Sequence, residues 1–455
     1  MTAIVLDGCA IATMDADCTE HTTGHITIDG PRITTVAAGR APRGIEGARY
    51  VDGTGCLATP GLISTHHHLY QWVTRGMALD STLFDWLVAL YPTWALIDAD
   101  IVGSAARGAL SRLARSGCTT TADHHYVFPQ DGGDVLAATI EAAQTVGLRF
   151  HPTRGSMDLG RSQGGLPPDE VVEDIDAILA ATEAAIDTYH DPSPEAMLQV
   201  GVSPCSPFSV TGELMTQAAE LARRKGVRLH THLAETADEE DFCRERFGCS
   251  PVEYVERLGW LGEDVWLAHA VHLGDDAVAT LGRTQTGVAH CPSSNARLGA
   301  GICRSRDLRD AGAPVGLGVD GAASNEASSL LEEARHALLF ARARGGPQAL
   351  TTRDALHMAT MGGARVLGRA ADLGSLEAGK LADVALWRMD TLAHVGIADP
   401  VAGLVLGAPP PLELSLVHGK AVVEHDRLVT ADEEETARAV RSANDRLRAK
   451  AGVGP

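Results

Sequence analysis

The run Pro60-Gly61-Leu62-Ile63-Ser64-Thr65-His66-His67-His68 places three adjacent imidazoles at the end of a short apolar segment. Side chains alternate along an extended strand, so His66 and His68 point to one side and His67 to the other. Two imidazoles that converge on one point are good ligands for a borderline-soft divalent cation such as zinc. A polar loop is the alternative interpretation, and further ligands elsewhere in the chain would decide against it.

Residues 59–370 alternate short apolar strand-like runs with amphipathic segments, a pattern typical of βα units on a parallel sheet. The predicted strands span residues 61–65, 119–122, 149–153, 198–202, 227–230, 265–268, 286–289 and 315–319. Eight such strands within about 310 residues indicate an α/β fold, a (β/α)8 barrel with loop insertions. The histidine run then lies at the end of the first barrel strand.

The two ends of the chain differ from this central region. Residues 1–58 and 371–430 contain short β-like runs separated by turns, and the most economical arrangement pairs them in one discontinuous β-domain. Residues 431–455 are predicted to form a C-terminal helix, which is rich in Glu and Arg and is therefore expected on the solvated surface.

The composition limits the classes of function. A chain that is 45% hydrophobic and 21% charged is an ordinary globular protein, and no apolar run approaches the ~20 residues of a membrane span. The N-terminus lacks the basic region of a signal peptide, and the nine cysteines are never spaced as CxxC, so we expect reduced thiols in the cytoplasm. The formal charge of -21 argues against a nucleic-acid partner. A small-molecule substrate is the expected partner.

Histidines and carboxylates fall regularly at the predicted strand ends, where a (β/α)8 barrel holds its active site. The residues at these ends include His66, His68, Asp123, His124, Arg154, Cys205, His230, His232, His269, His290 and Asp320. A chance scatter of 19 histidines would place many of them within helices. The pattern therefore predicts one polar site at the carboxyl ends of the strands.

The expected ligands of one divalent metal are His66, His68, His232 and Asp320. Three imidazoles and a carboxylate would hold zinc and leave one position for a water molecule, whose pKa the metal lowers to give a hydroxide nucleophile. Glu235 lies three residues beyond His232 and is expected to shuttle a proton, which requires a pKa raised by burial. His269 either holds the nucleophile or binds the metal, and the residues leave both roles open.

Several strand-end residues have simpler explanations. Asp123 and His124 are expected to support the site without binding metal, and His67 and His230 alternate away from the ligands into the barrel wall. Asp320 alone would be an ordinary turn residue, and its place at the eighth strand end argues for a ligand. The segment after Pro204-Cys205 lacks the second cysteine of the P-C-x-x-C motif, which excludes zinc chemistry of the cytidine-deaminase type.

These motifs resemble those of the amidohydrolase superfamily along nearly the whole chain. The matching segments are residues 60–63 before the H-x-H, 232–235, 267–269, 318–325 and 376–383. The resemblance implies a mononuclear metal site in a distorted (β/α)8 barrel, with a β-sandwich from both chain ends. In the branch with H-x-x-E it implies hydrolytic deamination of an aromatic heterocycle, with His269 contacting the attacking water and Asp320 binding metal and taking the water's proton.

Longer segments are similar to bacterial 8-oxoguanine deaminases of that branch, namely residues 66–71, 122–129, 153–157, 204–210, 229–236 and 290–295. The resemblance implies that 8-oxoguanine and water give urate and ammonia, with Gln71 contacting the purine edge through an amide that both donates and accepts. Arg154 and Cys205 are expected in the same pocket. Residues 72–85 are individual to this chain, which leaves the exact heterocycle open.

The alternatives are an aminohydrolase acting on hydroxyatrazine-type s-triazines, pterins or guanine, and a non-catalytic scaffold that has lost its metal. Retention of every ligand position argues against the scaffold, and Glu235 favours deamination over dechlorination. Zinc is the expected metal, with Fe2+ or Mn2+ sharing the same ligand types. Relatives are commonly oligomeric, so a homo-oligomer is expected.

Overall fold

The computed structural model describes residues 3–42, 44–45 and 47–452. Its first five strands precede the barrel and belong to a small sheet at one end of the molecule. They are β1 (Ile4–Ala12), β2 (Glu20–Asp29), β3 (Arg32–Ala38), β4 (Arg49–Asp52) and β5 (Cys56–Pro60). Strand β2 pairs antiparallel with β1 on one side and with β3 on the other, whereas β4 and β5 each pair with β1 in parallel.

The next eight strands form a closed parallel barrel, which confirms the predicted fold class. They are β6 (Leu62–Ser64), β7 (Cys118–His125), β8 (Arg149–Ser156), β9 (Gly201–Pro204), β10 (Leu229–Leu233), β11 (Val265–His269), β12 (Gly287–His290) and β13 (Val315–Leu317). Every predicted barrel strand is present, and Leu317 pairs with Ser64 to close the ring. Strands β7 and β8 each end three residues later than predicted. Strand β7 stays paired with β8 as far as His125, and β8 stays paired with β9 as far as Ser156.

The remaining strands return to the small sheet and complete it from the other end of the chain. They are β14 (Val384–Arg388), β15 (Leu412–Val417), β16 (Lys420–Glu424) and β17 (Arg427–Leu428). All are hydrogen-bonded into one sheet in the order β17-β16-β15-β14-β5-β1-β2-β3, with no break into two sheets. The sheet curls, since the β2–β3 turn at Gly30 lies against the β15–β16 turn at Gly419. Its inner face encloses one apolar core.

Helices surround the barrel strands. They are α1 (Leu83–Trp94), α2 (Ala99–Arg115), α3 (Val135–Val146), α4 (Ile175–Tyr189), α5 (Gly212–Lys225), α6 (Ala237–Phe247), α7 (Pro251–Arg257), α8 (Asp275–Thr284), α9 (Pro292–Arg297), α10 (Ser305–Asp310), α11 (Leu330–Gly345), α12 (Thr352–His357), α13 (Gly363–Val366), α14 (Pro400–Leu406) and α15 (Glu433–Lys450). A 3-10 helix, Leu69–Thr74, follows the histidine run. Within the described ranges, no helix has the length and apolar character to cross a membrane.

The terminal helix α15 is not the solvated element that its charges predicted. Ala443 and Leu447 are buried, and Val440 packs against the same core. These residues recur at helical spacing and form an apolar stripe that contacts α2 and the 3-10 helix. The Glu and Arg residues therefore occupy only the outer face, as in an ordinary amphipathic helix.

The barrel and the small sheet are joined both covalently and by a buried ion pair. A single residue, Gly61, separates β5 in the sheet from β6 in the barrel. Arg149 at the start of β8 pairs with Asp383 before β14 at 3.0 Å, and both side chains are almost fully buried. Asp383 also accepts the backbone N–H of His418. Domain boundaries at residues 58, 370 and 430 stay a prediction, because the two parts share this junction.

Replacing Asp383 with Asn should destabilise the protein, because the Arg149 guanidinium would remain buried without its counter-charge. We expect the free energy of unfolding to fall by about 3 kcal/mol, measured from the urea midpoint followed by tryptophan fluorescence. Asp264→Asn is the matched control, since Asp264 pairs with Arg223 at 2.8 Å on the exposed surface and should contribute less than about 1 kcal/mol. Equal midpoints for the two variants would contradict the prediction.

Candidate metal centre and active site

Four predicted ligand atoms converge at the carboxyl end of the barrel. The Nε2 atoms of His68 and His232 lie 3.1 Å apart. The Oδ1 atom of Asp320 lies 3.4 Å from His66 Nε2 and 3.3 Å from His68 Nε2. Two donors that each lie about 2.0–2.1 Å from a tetrahedral ion are separated by about 3.3 Å. These three separations therefore fit donors on a single small cation, and ring nitrogens of His66, His232 and His269 also lie within 4.8 Å of one another.

The hydrogen bonds behind the three imidazoles assign their tautomers. His68 Nδ1 donates to the carbonyl of His124 at 2.6 Å, and His232 Nδ1 donates to that of Cys205 at 2.7 Å. His230 Nδ1 donates to the carbonyl of Trp266, so its Nε2 accepts from His66 Nδ1 at 2.8 Å. Each ligand imidazole therefore presents an Nε2 lone pair to the centre.

Burial keeps these imidazoles uncharged. It is the main cause that lowers the pKa of His66, His68 and His232 below the ordinary histidine value. The buried His66 Nε2 has no hydrogen-bond partner among the described residues. Three lone pairs and a carboxylate that face one another, with no donor between them, repel unless a cation lies among them. The donor set thus fits a divalent metal, with His66, His68, His232 and Asp320 as its holders.

The carboxylate of Asp320 is held by hydroxyl donors on its far side. Ser294 Oγ donates to Oδ2 at 2.5 Å, and Ser324 Oγ lies 3.3 Å from the same atom. The backbone N–H of Gly321 donates to Oδ1. Oδ2 is thereby occupied, so Oδ1 is the atom that faces the imidazoles.

Glu235 and His269 lie together beside this centre, with His269 Nε2 3.5 Å from Glu235 Oε2. His269 Nδ1 donates to Asn295 Oδ1 at 2.9 Å, which directs Nε2 towards Glu235. Burial raises the pKa of Glu235 to about 7, in the direction expected for a proton shuttle. A carboxyl with this pKa exchanges its proton near neutral pH.

A second buried carboxylate, Glu239, positions Glu235. Its two oxygens accept the backbone N–H groups of Ala234 at 2.9 Å and Glu235 at 3.0 Å. Ala234 has a φ of 53°, a left-handed conformation that costs a residue with a Cβ roughly 1–2 kcal/mol. Glu239 therefore holds the strand end in the turn that brings the Glu235 side chain to the centre. Sequence reasoning missed Glu239 because an acid in the first turn of a helix is common.

A cavity adjoins the metal centre. Its lining includes Gln71, Cys205, Glu235 and His269, together with an apolar wall formed by Leu83, Trp86, Leu87, Tyr91, Phe208 and Leu298. The buried Oε1 of Gln71 has no partner among the described residues. Gly321 makes room for this amide, since a Cβ at residue 321 would lie 1.8 Å from Gln71 Oε1. Gln71 is thus free to bond a ligand, and the wall suits a flat ring.

Arg154 is not brought into this cavity. Its guanidinium pairs with Glu173 at 2.6 Å, donates to the carbonyl of Gly155, and lies over the Phe128 ring. The buried ion pair and the aromatic contact satisfy the side chain behind β8. Arg154 is therefore outside the cavity lining, whereas Gln71 and Cys205 are part of it, and the roles of these two residues in binding substrate stay predictions.

The supporting strand-end residues lie around the centre. Asp123 accepts the backbone N–H of Leu69 at 2.8 Å. The His124 ring stacks on that of His232, and its Nε2 bonds the Ser203 carbonyl at 2.9 Å. These contacts fix the start of the 3-10 helix and the orientation of a ligand ring, in keeping with a supporting role.

Comparisons with known proteins agree with this geometry. Residues 57–408 match the model described as the amidohydrolase family. The chain is 46% identical over 400 residues to the 8-oxoguanine deaminase of Pseudomonas aeruginosa, covering 87% of this chain and 88% of that protein. It is 40% identical over 432 residues to an isoxanthopterin deaminase from an unknown prokaryotic organism, covering 90% and 89%. A crystal structure of atrazine chlorohydrolase TrzN from Arthrobacter aurescens TC1, complexed with zinc, has a TM-score of 0.92 at 35% identity and covers 97% and 100%.

The purified chain should bind about one divalent metal after reconstitution with zinc, measured by inductively coupled plasma mass spectrometry. His232→Ala removes one of the converging lone pairs and should lose most of the metal. Glu235→Gln is the matched control, because the amide keeps the side chain's shape and leaves all four ligand atoms in place. A chain that retains no stoichiometric metal would support the scaffold interpretation.

Proposed function

Because the chain belongs to the amidohydrolase family and is a hydrolase of carbon–nitrogen bonds with deaminase relatives, we propose that it deaminates 8-oxoguanine to urate and ammonia. The observation that carries this proposal is the presence of the Gln71 amide, whose Oε1 accepts no hydrogen bond from a described residue, in the lining of the cavity that holds the buried Glu235 carboxyl. An amide can pair with both the donor and the acceptor on the edge of a purine. The Pseudomonas aeruginosa protein that is 46% identical to this chain is named an 8-oxoguanine deaminase.

The reaction adds one water molecule across the bond between the ring carbon C2 and its amino group. A divalent metal, with zinc proposed, would be held by His66, His68, His232 and Asp320 and would lower the pKa of a water molecule there towards neutrality. His269 is proposed to orient this water, and Asp320 to accept its proton. Glu235 gives a proton to the ring nitrogen beside C2. The amino group takes the proton held by Asp320 and leaves as ammonia, and the hydroxyl on C2 returns its proton to Glu235, which leaves the carbonyl oxygen of urate.

The apolar wall of the cavity is also proposed to exclude water from the substrate ring. Helix α1 supplies Leu83, Trp86, Leu87 and Tyr91 to its wall, and these side chains cover the site with apolar surface. A dry site strengthens the hydrogen bonds of Glu235 and Gln71 to the ring because little water competes for them. The same enclosure buries Glu235, and this burial raises the pKa of its carboxyl.

Turnover should depend on Glu235 and, to a smaller extent, on Glu239. Glu235→Gln removes the proton donor and should lower kcat at least about 100-fold with the metal retained. Glu239→Gln leaves the chemistry intact but gives up one of two backbone hydrogen bonds, so kcat should fall about 10-fold or more with little change in KM. Both are measured by steady-state release of ammonia.

Glu240→Gln is the control for this pair, since Glu240 is the next residue of the same helix and its side chain pairs with Arg244 at the surface. The pH profile adds an independent measure of the proton donor. A pKa raised to about 7 means that Glu235 carries its proton below pH 7 and loses it above, so kcat/KM should fall as the pH rises through that value. A Glu235→Gln variant with unchanged turnover would remove Glu235 from the mechanism.

A substrate panel tests the choice of heterocycle. The zinc-loaded enzyme should release ammonia from 8-oxoguanine with a kcat/KM at least about 10-fold above that for guanine, isoxanthopterin or hydroxyatrazine, because one extra or missing ring contact changes discrimination by about that factor. Urate is identified by its absorbance. Preference for isoxanthopterin or a triazine would overturn the substrate and leave the deaminase chemistry standing.

A further inference from the structure

A second cavity lies outside the active site, on the other side of the 3-10 helix Leu69–Thr74. Its volume is about 570 Å³, within the range of small-molecule sites. Trp72 and Val73 of that helix, α2 and α15 form its walls. Gln71 on the same 3-10 helix lines the catalytic cavity instead. The two cavities are therefore separate spaces that share one wall.

The charge of this second cavity is opposite to that of the chain. Its lining carries four guanidinium groups and one carboxylate, those of Arg75, Arg112, Arg115, Arg441 and Glu433. The whole chain has 38 Lys and Arg against 59 Asp and Glu. A concave surface with this excess of cations concentrates anions.

Two of the four guanidinium groups are neutralised by acids of the chain. Arg115 pairs with Glu433 at 2.9 Å and with Asp426 at 2.8 Å, and Arg112 lies 3.5 Å from Glu332. Among the residues described, Arg441 lines the cavity and makes no ion pair within 4.0 Å. Arg75 makes none either; its Nε donates to the carbonyl of Trp72 at 3.2 Å, and its guanidinium lies 3.7 Å from the centre of the Trp72 ring. Two cations of the described lining are thus outside any ion pair.

The remaining lining is apolar and defines the rest of the ligand. Trp72, Val73, Leu428, Ala437 and Val440 contribute this surface. A bare inorganic ion would leave it uncovered, whereas an organic body would bury it. The combination calls for an anionic head group on an apolar, ring-sized body.

We propose that this cavity is a second, non-catalytic binding site for a small organic anion, a phosphate or carboxylate carried on an apolar ring. The guanidinium groups of Arg75 and Arg441 hold the anionic head, and the apolar lining packs against the ring. Guanidinium forms paired, charge-assisted hydrogen bonds with phosphate and carboxylate, which makes both head groups suitable.

Isothermal titration calorimetry of the zinc-loaded protein with phenyl phosphate tests the site, with benzoate, inorganic phosphate and phenol as comparisons. Phenyl phosphate or benzoate should bind more tightly than inorganic phosphate, and phenol should not bind. The double variant Arg75→Gln, Arg441→Gln should weaken binding at least about 10-fold, because two charge-assisted contacts are lost. The difference in affinity between phenyl phosphate and benzoate identifies the preferred head group.

The matched control is Arg107→Gln, Arg446→Gln, which removes two arginines from the same helices α2 and α15 outside this lining. It should bind within about twofold of the unmodified protein. Phenyl phosphate bound at the catalytic metal would be insensitive to both double variants, and that result would overturn the proposal. Absence of binding at 10 mM probe, at the order of concentration where millimolar sites are occupied, would overturn it as well.

The particle mass, measured by light scattering, distinguishes a ligand site from a contact between copies of the chain. It should be the same for the unmodified protein and for the double variant Arg75→Gln, Arg441→Gln. A smaller particle in the variant would show that the cavity is a subunit interface and would overturn the proposal. A thermal midpoint within about 2 °C of the unmodified protein verifies that the variant is folded.

Discussion

The constraint on which the site depends is electrostatic. Three uncharged imidazoles direct their lone pairs at one point, and a carboxylate oxygen faces the same point within 3.4 Å. Their Nδ1 atoms are committed to partners behind them, so none of these rings can turn to relieve the repulsion without losing a buried hydrogen bond. The arrangement is stable when a cation lies among these atoms, and without a cation it is destabilised by their electrostatic repulsion. The barrel wall, the supporting histidines and the hydroxyls behind Asp320 all serve to keep those atoms converged.

The backbone at the strand ends stores part of the cost of this convergence. Ala234, His269 and Asp320 all have positive φ values, 53°, 74° and 60°, in a conformation that favours glycine. Buried polar partners hold two of these turns, with Glu239 bonded to the backbone at Ala234 and Asn295 to the His269 ring. Such strain persists only where the surroundings over-determine it, and it is common at functional sites. The supporting residues are therefore as necessary to the geometry as the ligands.

The eight barrel strands and the convergence of the histidines were predictable because both follow from short-range patterns and one topological rule. Apolar runs mark buried strands, and the carboxyl ends of parallel strands must meet at one face. Glu239 and Asn295 were not predictable, since Glu239 bonds a backbone turn and Asn295 bonds the ring of His269 from a distant element, and no local pattern specifies either contact. The orientation of Arg154 was not predictable for a related reason: a residue at a strand end can turn away from the cavity when other groups, here Glu173 and Phe128, bind its guanidinium. The prediction that α15 is a solvated helix was wrong because its charged residues outnumber the few apolar residues that pack it onto α2.

The division of labour within the site explains how similar proteins can act on different rings. The metal ligands, Glu235 and His269 are attached to barrel strands, whose register is fixed by neighbours on both sides. The space for a substrate ring is lined by Gln71 and by the apolar wall from α1. Helix α1 lies in the long connection between β6 and β7. Substitutions on α1 change the space beside the ring without moving a strand, so they leave the ligand atoms in place. Leu83 of the wall lies within residues 72–85, the segment expected to be individual to this chain, so we expect selectivity for the heterocycle to depend on that connection and the hydrolytic chemistry to depend on the barrel.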